Sequence, residues 1–373
     1  MTDTTTTEDL EAQIGGYAER LLTTGLAAFE AATITLGRQL GLYQALADHG
    51  PCTAGELAAA AGINARYARE WLEQQAAAGW IDADPSTGDV NADARRFSLR
   101  PAAQECLLRP DSLASVGPLF DLVPTIGATL PRVAEAFRTG GGVPYADYGI
   151  HDIQGDFNRP AFVNLLAAEW IPAIPGLAER LAAEPPARVA ELGCGEGWAA
   201  IAIARAWPSV RVDGFDLDEA SIAAARKHAA EEGLAGRVRF EVADVTGAPE
   251  SVAPAGGYDL VLAFEMIHDL ARPREALATM RHLAATGGVC LVADENVAER
   301  YEAATDNPIE RLFYASSVLH CLPVGMADAP SAGTGTVMRP DTFRRYATDA
   351  GFAGVEVLPI DHDLFRFYRL IDR

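Results

Sequence analysis

Two stretches of the chain set reactive residue types at spacings that chemistry can use. The first is Val189-Ala190-Glu191-Leu192-Gly193-Cys194-Gly195-Glu196-Gly197, an apolar run that ends in an acid and a G-x-G-x-G turn. A strand closing in glycines and opening a helix lets backbone approach a ligand and aims the helix N-terminus at it. The bland alternative is a tight strand-to-helix turn that holds nothing. A dinucleotide site calls for G-x-G-x-x-G, and here the third glycine falls one place early. Glu191 would also set a carboxylate against a pyrophosphate. It suits instead S-adenosylmethionine (SAM), which has no phosphate and carries an ammonium and a sulfonium. The second stretch is Phe264-Glu265-Met266-Ile267-His268-Asp269-Leu270. Methyl transfer to a hydroxyl needs a proton removed as the oxygen attacks, and a histidine is poised for that near neutral pH. Otherwise His268 simply packs or caps the next helix.

Two more acids fall where strands should end. Asp216, in Gly214-Phe215-Asp216-Leu217-Asp218, can accept hydrogen bonds from a ribose diol. Asp244, in Ala243-Asp244-Val245, can take an adenine amino group while Val245 and Leu217 flank the ring. Singly, each is more often a helix cap; three strand ends in register, each with its acid, argue for a common ligand.

The elements that must position these residues alternate in period. Strands are expected over 188–192, 210–215, 238–242, 258–264 and 288–293, with helices to 206 and over 220–232 and 274–284. Strands alternating with helices of this length imply βαβ units and a parallel sheet. A helix over 341–350 and segments 355–358 and 364–370, expected as a β-hairpin, close the chain. In front, a helical pattern over 16–50 carries Leu36, Leu40, Tyr43 and Leu46 on one stripe. Thr53 and Glu56 have capping-box spacing; Asn64 can cap a second helix with Tyr67, Trp71 and Leu72 inward. A hairpin from Trp80 around a Pro/Gly/Asp-rich tip (84–93) to Leu99 completes a winged-helix unit. The expected division is a disordered tail over 1–15, a winged-helix domain over 16–109, a helical linker or substrate cap over 110–185, and a catalytic domain over 186–373 with a helical insertion at 297–338. A single helix is expected over 162–181.

Composition narrows the class. The formal charge of −22 over 373 residues repels nucleic acid and anionic membranes. Five scattered cysteines without a CxxC pair argue against disulfides or zinc and fit a reducing cytoplasm. No run has the length of a membrane span, and the polar, acidic start is no signal peptide. The histidines other than His268 (His49, His151, His228, His282, His320 and His362) show no metal spacing, so no metal is expected.

With these motifs assembled, residues 187–296 resemble the class I SAM-dependent methyltransferase core. The whole chain resembles the small-molecule O-methyltransferases of plants and of bacterial natural-product pathways, nearest to an actinobacterial branch. The resemblance implies a Rossmann-like α/β domain with a seven-stranded, mostly parallel sheet behind a winged-helix domain that mediates homodimerisation. It implies that Glu191, Gly193 and Gly195 lie by the methionine part of SAM. Asp216 and Leu217 would hold the ribose and edge the adenine, and Asp244 and Val245 the adenine. Phe264 would offer backbone to the amino group, where plant relatives often carry lysine. His268 matches the family's general base and Asp294 the acidic partner that orients it, with Glu295 an adjacent alternative. Leu270 replaces the family's Trp. Turnover would convert SAM to S-adenosylhomocysteine (SAH).

The acceptor pocket is expected between the central helices and the insertion, with Tyr148, Phe162, Trp170, Phe313, Tyr314, His320, Met326 and Met338 as candidates. Asn158 and Phe162 match a stretch that packs over SAM. A base-free N- or C-methyltransferase is the nearest variant. A SAM-responsive DNA-binding regulator is the rival from another class. On its recognition helix Arg66 and Arg69 are offset by Glu70 and Glu73, and on the wing Arg95, Arg96 and Arg100 lie beside Asp84, Asp89 and Asp93.

Overall fold

The computed structural model describes residues 7–85 and 92–372. The chain divides into two units, Met1–Pro124 and Thr125–Arg373, so the expected linker over 110–185 is shared between them.

In the first unit, α1 (Thr7–Gln39) is a single helix of 33 residues. Residues 7–15, expected in a tail, belong to it: Leu10 and Ile14 lie at helical spacing and continue to Tyr17, with the helix formers Glu8, Glu11, Ala12 and Gln13 among them. The single pattern expected over 16–50 is two helices. Gly41, with φ of 66°, breaks the run before α2 (Leu42–His49). Tyr43 and Leu46 of the expected stripe are buried, whereas Leu36 and Leu40 are 47% and 43% exposed. The helix α3 (Ala54–Ala61) opens on the expected capping box. There Glu56 N donates to Thr53 Oγ1 at 3.3 Å, and Thr53 N to Glu56 Oε2 at 2.7 Å. Asn64 caps α4 (Ala65–Ala77), accepting from Arg66 N at 2.9 Å. This helix buries Ala68, Trp71, Leu72 and Gln75. Tyr67, expected inward, falls just off that face and is 77% exposed. Strands β1 (Asp82–Ala83) and β2 (Phe97–Ser98) pair antiparallel as the wing; residues 86–91 of its tip lie outside the described residues. Next come α5 (Pro101–Leu108) and α6 (Gly117–Thr139).

The second unit holds α7 (His151–Ala161), which runs on in π-helical turns over Phe162–Trp170. The helix expected to reach 181 is interrupted at Pro172, Pro175 and Gly176 before α8 (Leu177–Ala182), because proline removes the ladder donors. From there the order is β3 (Arg188–Leu192), α9 (Trp198–Ala206), β4 (Arg211–Asp216), α10 (Glu219–Glu231) and β5 (Val238–Val242). Then follow α11 (Pro249–Val252), β6 (Tyr258–Phe264), α12 (Pro273–Leu283) and β7 (Ala284–Glu295). The expected insertion contains α13 (Pro308–Ser316), π turns over Ser317–Cys321 and α14 (Leu322–Gly325). After it come α15 (Pro340–Asp349), β8 (Gly354–Val357) and β9 (Phe365–Ile371), the last two forming the expected hairpin.

The seven strands lie in the order β5-β4-β3-β6-β7-β9-β8. Pairs from β5 to β7 are parallel, and β9 runs antiparallel to β7 and β8. Short, continuously buried strands such as β3 and β6 are what helix layers on both faces demand. Consecutive strands β3 and β4 go one way and β6 the other, which opens a crevice at the carboxyl ends where the order reverses. Register places Leu192 beside Phe215 and Ala263, and Phe264 beside Ala293, so the loops bearing the chemistry leave from one edge.

Candidate active site

At that edge lies a cavity of about 420 Å³, within the size of a small-molecule site. Its wall includes Glu191, Gly193, Gly195, Asp216, Leu217, Asp244, Val245 and Phe264, the whole set expected for the methyl donor. The glycine turn is shaped by its backbone: Gly193 has φ of 66°, and a Cβ there would stand 2.8 Å from Met266. A Cβ on Gly195 would project into open space. Asp216 ties the turn down, its Oδ2 accepting from Gly195 N at 2.8 Å and its Oδ1 from Asp218 N at 2.9 Å. Asp244 accepts from Thr246 N and Oγ1 at 2.8 and 2.6 Å and pairs with Arg272 at 3.2 Å.

The wall is strongly acidic. Glu191, Glu196, Asp216, Asp218, Asp244, Glu265, Asp269 and Asp328 all line it, against the single arginine Arg272. Burial pushes the Glu191 carboxyl up to about 8 and raises Asp216 as well. Glu191 Oε2 and Trp198 Nε1 are buried without a hydrogen-bond partner, and both residues line the cavity. Such a wall suits a ligand that brings positive charge and hydrogen-bond donors better than one that brings a phosphate. SAM, with its ammonium, sulfonium and ribose diol, fits this donor set. Bound there, it would supply a methyl group on a cationic sulfur.

The expected catalytic pair is present, in a different setting. His268 Nδ1 lies 2.8 Å from Asp294 Oδ1 and 2.8 Å from Glu295 Oε2, so both acids weighed for the orienting role reach it. Its other nitrogen, Nε2, is 3.0 Å from Asp269 Oδ1. His268 is only 2% exposed and is absent from the cavity wall. Burial alone would lower its pKa, but Glu295, Asp269 and Asp294 together raise it well above 6.5. His268 thus stands off the cavity wall with acids near both nitrogens, Nδ1 hydrogen-bonded to Asp294 and Nε2 within 3.0 Å of Asp269. It acts as the buried counter-charge, holding Asp269 and Asp294 below the usual carboxylate range despite their burial. Burial, followed by Asp294, raises the Glu295 carboxyl well above that range.

His268 has close enough neighbours to share an ion, either Asp294 and Glu295 or Asp269 and Cys321. The imidazole stands between these groups, with its nitrogens facing opposite carboxylates.

Of the acceptor candidates, Phe162 lines the cavity, and so does Asn158. Trp170 is core, fully buried against Phe264, Phe365 and Phe367. Tyr148 is buried and donates to Leu319 O at 2.9 Å, with its ring on His320. Phe313, His320, Met326 and Met338 stand off the wall, and Tyr314 accepts from Arg339 at 2.7 Å. Large apolar and aromatic side chains in these helices fill the unit's own core, which is why composition alone misplaces them. The sequence reading missed Tyr145, His151, Gln154, Glu265 and Asp269, all on the wall. A signal existed: His151, Gln154, Gly155, Asn158 and Phe162 recur at helical spacing.

Glu265 is the most unusual of these. It follows β6 with φ of 51°, a left-handed conformation that costs a non-glycine residue roughly 1–3 kcal/mol. Its N donates to Ala293 O at 2.9 Å, and Asn158 Nδ2 donates to its Oε2. Burial pushes its carboxyl up to about 7 against the lowering pull of His268.

Comparisons with known proteins agree with this geometry. Residues 184–321 match the family described as "Methyltransferase domain", and residues 28–98 the "Rv2258c-like winged HTH domain". The ubiquinone biosynthesis O-methyltransferase of Pseudomonas aeruginosa is 26% identical over 223 residues, covering 59% of this chain and 84% of that protein. The solved mitomycin 7-O-methyltransferase MmcR shares the fold with a TM-score of 0.69 and 20% identity, covering 97% of this chain and 100% of its own. Human N-acetylserotonin methyltransferase, solved with SAM, does so with a TM-score of 0.66 and 17% identity, covering 100% of this chain and 99% of its own. The chain is a SAM-dependent methyltransferase, its class I methyltransferase domain preceded by a winged helix-turn-helix domain.

Proposed function

We propose that this methyltransferase O-methylates a small molecule with an apolar body and a reactive hydroxyl. The observation that carries the reading is the single cavity in which the donor-type residues and the ionisable pair Glu265 and Asp269 share a wall. Phe162, Tyr145 and Val324 give that wall its apolar part. The names of the relatives above, two of them O-methyltransferases, support a hydroxyl as acceptor. The donor contacts are read as above: Asp216 on the ribose, Asp244 and Val245 on the adenine, Glu191 and the glycine turn on the methionine part. No metal is needed, and the winged domain serves a homodimer. Among the described residues no helix is long and apolar enough to cross a membrane.

Titration calorimetry tests the donor site. SAM and SAH should both bind, and Asp216→Ala should weaken each by about 1–3 kcal/mol, the worth of a lost hydrogen bond to a charged group. Tritiated methyl transfer into a deproteinised metabolite extract, with mass analysis of the labelled product, reads the acceptor atom. Absence of SAM binding would sink the reading, and label found only on nitrogen or carbon would remove the hydroxyl.

A further inference from the structure

We propose that Glu265 holds the α-ammonium of the methyl donor and, through Asn158, fastens helix α7 over the loaded donor. The inference rests on the SAM reading above and adds to it a donor ligand and a consequence for α7. It is independent of which acceptor atom is methylated.

Three placements carry the ammonium contact. Glu265 lines the cavity and directly follows Phe264, at the strand end where the donor's amino group is expected. The next residue, Met266, packs so closely on the glycine turn that a Cβ at Gly193 would stand 2.8 Å from its Cγ. The loop bearing Glu265 thus lies against the turn to which the methionine part of SAM is assigned. Its φ of 51° and the bond from Glu265 N to Ala293 O at 2.9 Å fix where the side chain leaves the sheet.

The carboxyl has no counter-charge of its own. Among the described residues Asn158 Nδ2 is the hydrogen-bond donor that reaches it, and an amide is neutral. Asp269 and Asp294 face it, and so does His268, but that imidazole already lies against Asp294, Glu295 and Asp269. A buried acid so placed on a cavity wall calls for a cation that arrives with the ligand. Of the two cations of SAM, the ammonium brings three N–H donors. The sulfonium brings none and must keep its methyl group open to the acceptor.

The clasp follows from α7 itself. One face of this helix, with His151, Gln154, Gly155 and Asn158, forms part of the cavity wall. The helix is weak in its interior, where Gly155 is a poor helix former and Pro160 lacks a ladder N–H. Contacts to wall residues hold it to the sheet edge. Gly155 lets it approach Glu196, where a Cβ would stand 2.7 Å from Oε2, and Arg159 lies over the Trp198 ring at 4.1 Å. Asn158 alone of these bonds the group that the ammonium would meet. A carboxylate paired with an ammonium stays ionised, and an ionised acceptor makes the stronger hydrogen bond, so donor binding tightens α7 onto the edge.

Calorimetry with SAM, SAH and deaminated SAH, which lacks only the amino group, reads the ammonium contact. The wild type should bind SAH about 10- to 100-fold more tightly than the deaminated analogue, the worth of a hydrogen bond between charged groups. Glu265→Gln should lose about that factor for SAM and SAH alike and bind the analogue within about threefold of wild type. Hydrogen exchange reads the clasp and needs no variant. In the wild type the amides of residues 151–161 should slow with SAH bound and slow less with the analogue at equal occupancy. Asn158→Ala should still bind SAH more tightly than Glu265→Gln does, yet lose that difference in exchange. A preference for SAH over the analogue that is the same in Glu265→Gln and wild type overturns the ammonium contact. A loss seen for SAM but not for SAH also overturns it, since Glu265 would then answer the sulfonium. Exchange in α7 that is alike with both ligands, or indifferent to Asn158→Ala, overturns the clasp. A wild type that binds neither SAM nor SAH sinks the donor reading itself.

Discussion

His268, Glu265 and Glu295 form a buried cluster in which protonation is linked to folding. In the folded protein all three hold protons at pH values where the unfolded chain has released them. For His268 the stabilisation is complete below its ordinary 6.5 and is lost as pH rises through its higher folded value. For Glu265 and Glu295 it is complete below 4.5 and lost as pH rises, for Glu265 by about 7. Asp269 and Asp294 have the opposite sign, but their contribution is lost only as pH falls below the usual 3.8. The thermal midpoint should therefore fall as pH rises from about 4.5 through about 7, where Glu265 gives up its proton, and fall further as pH passes above 6.5 toward the raised His268 value. A scan in which the midpoint holds level or climbs over that range contradicts a protonated cluster. At this scale the acids of the cavity wall were legible in the sequence, because each is tied to a strand end that the hydrophobic period locates. The state of His268 was not legible. It depends on Asp294 and Glu295, some 26 residues away, converging with Asp269 on one ring, and no local pattern encodes that convergence.

The element whose exposed face asks for a partner is α1. Leu10, Ile14, Tyr17, Leu21 and Phe29 are 51–78% exposed and follow one another at helical spacing, with Leu22 and Leu26 beside them. An apolar stripe this long marks an association surface. A second copy of the helix has the matching chemistry, since a two-fold pairing sets the same stripe against itself. Light scattering should therefore give a dimer at micromolar concentration, and Leu21→Glu with Phe29→Glu should convert it to a monomer whose far-ultraviolet dichroism is unchanged. A wild-type monomer, or a dimer indifferent to both charges, rules the pairing out. The sequence marked Leu36, Leu40, Tyr43 and Leu46 as one apolar stripe of the first unit, but Tyr43 and Leu46 belong to that unit's own core. Periodicity marks an apolar face; it does not tell whether the same chain or another covers it. Gly41 settles the matter locally, because its left-handed turn folds α2 back and takes those two residues inward.

Across the whole molecule the deciding quantity is the sign and pairing of charge. The chain carries −22 and yet includes a winged helix-turn-helix domain, a fold that in other settings reads DNA. Binding to a duplex draws on counterion release by cations free to meet phosphates. Here the cations of the recognition helix and wing are already answered within the first unit. Arg66 pairs with Glu70, Arg69 with Asp93 at 3.1 Å, and Arg95 with Glu73 at 2.8 Å. Arg96 pairs with Glu56 at 3.2 Å and Arg100 with Asp82 at 2.9 Å. Contact with phosphate would require breaking these pairs and exposing their acids to a polyanion, which opposes association from both sides. Gel shifts on chromosomal fragments at about 50 mM salt, where phosphate contacts are strongest, should therefore show no retarded band with or without SAM. The charge-reversing pair Glu70→Lys and Glu73→Lys frees Arg66 and Arg95 and should create weak, salt-sensitive binding without sequence preference. A wild-type shift that SAM strengthens or abolishes would instead make the winged domain a reader of DNA, with the methyl-donor cavity as its sensor.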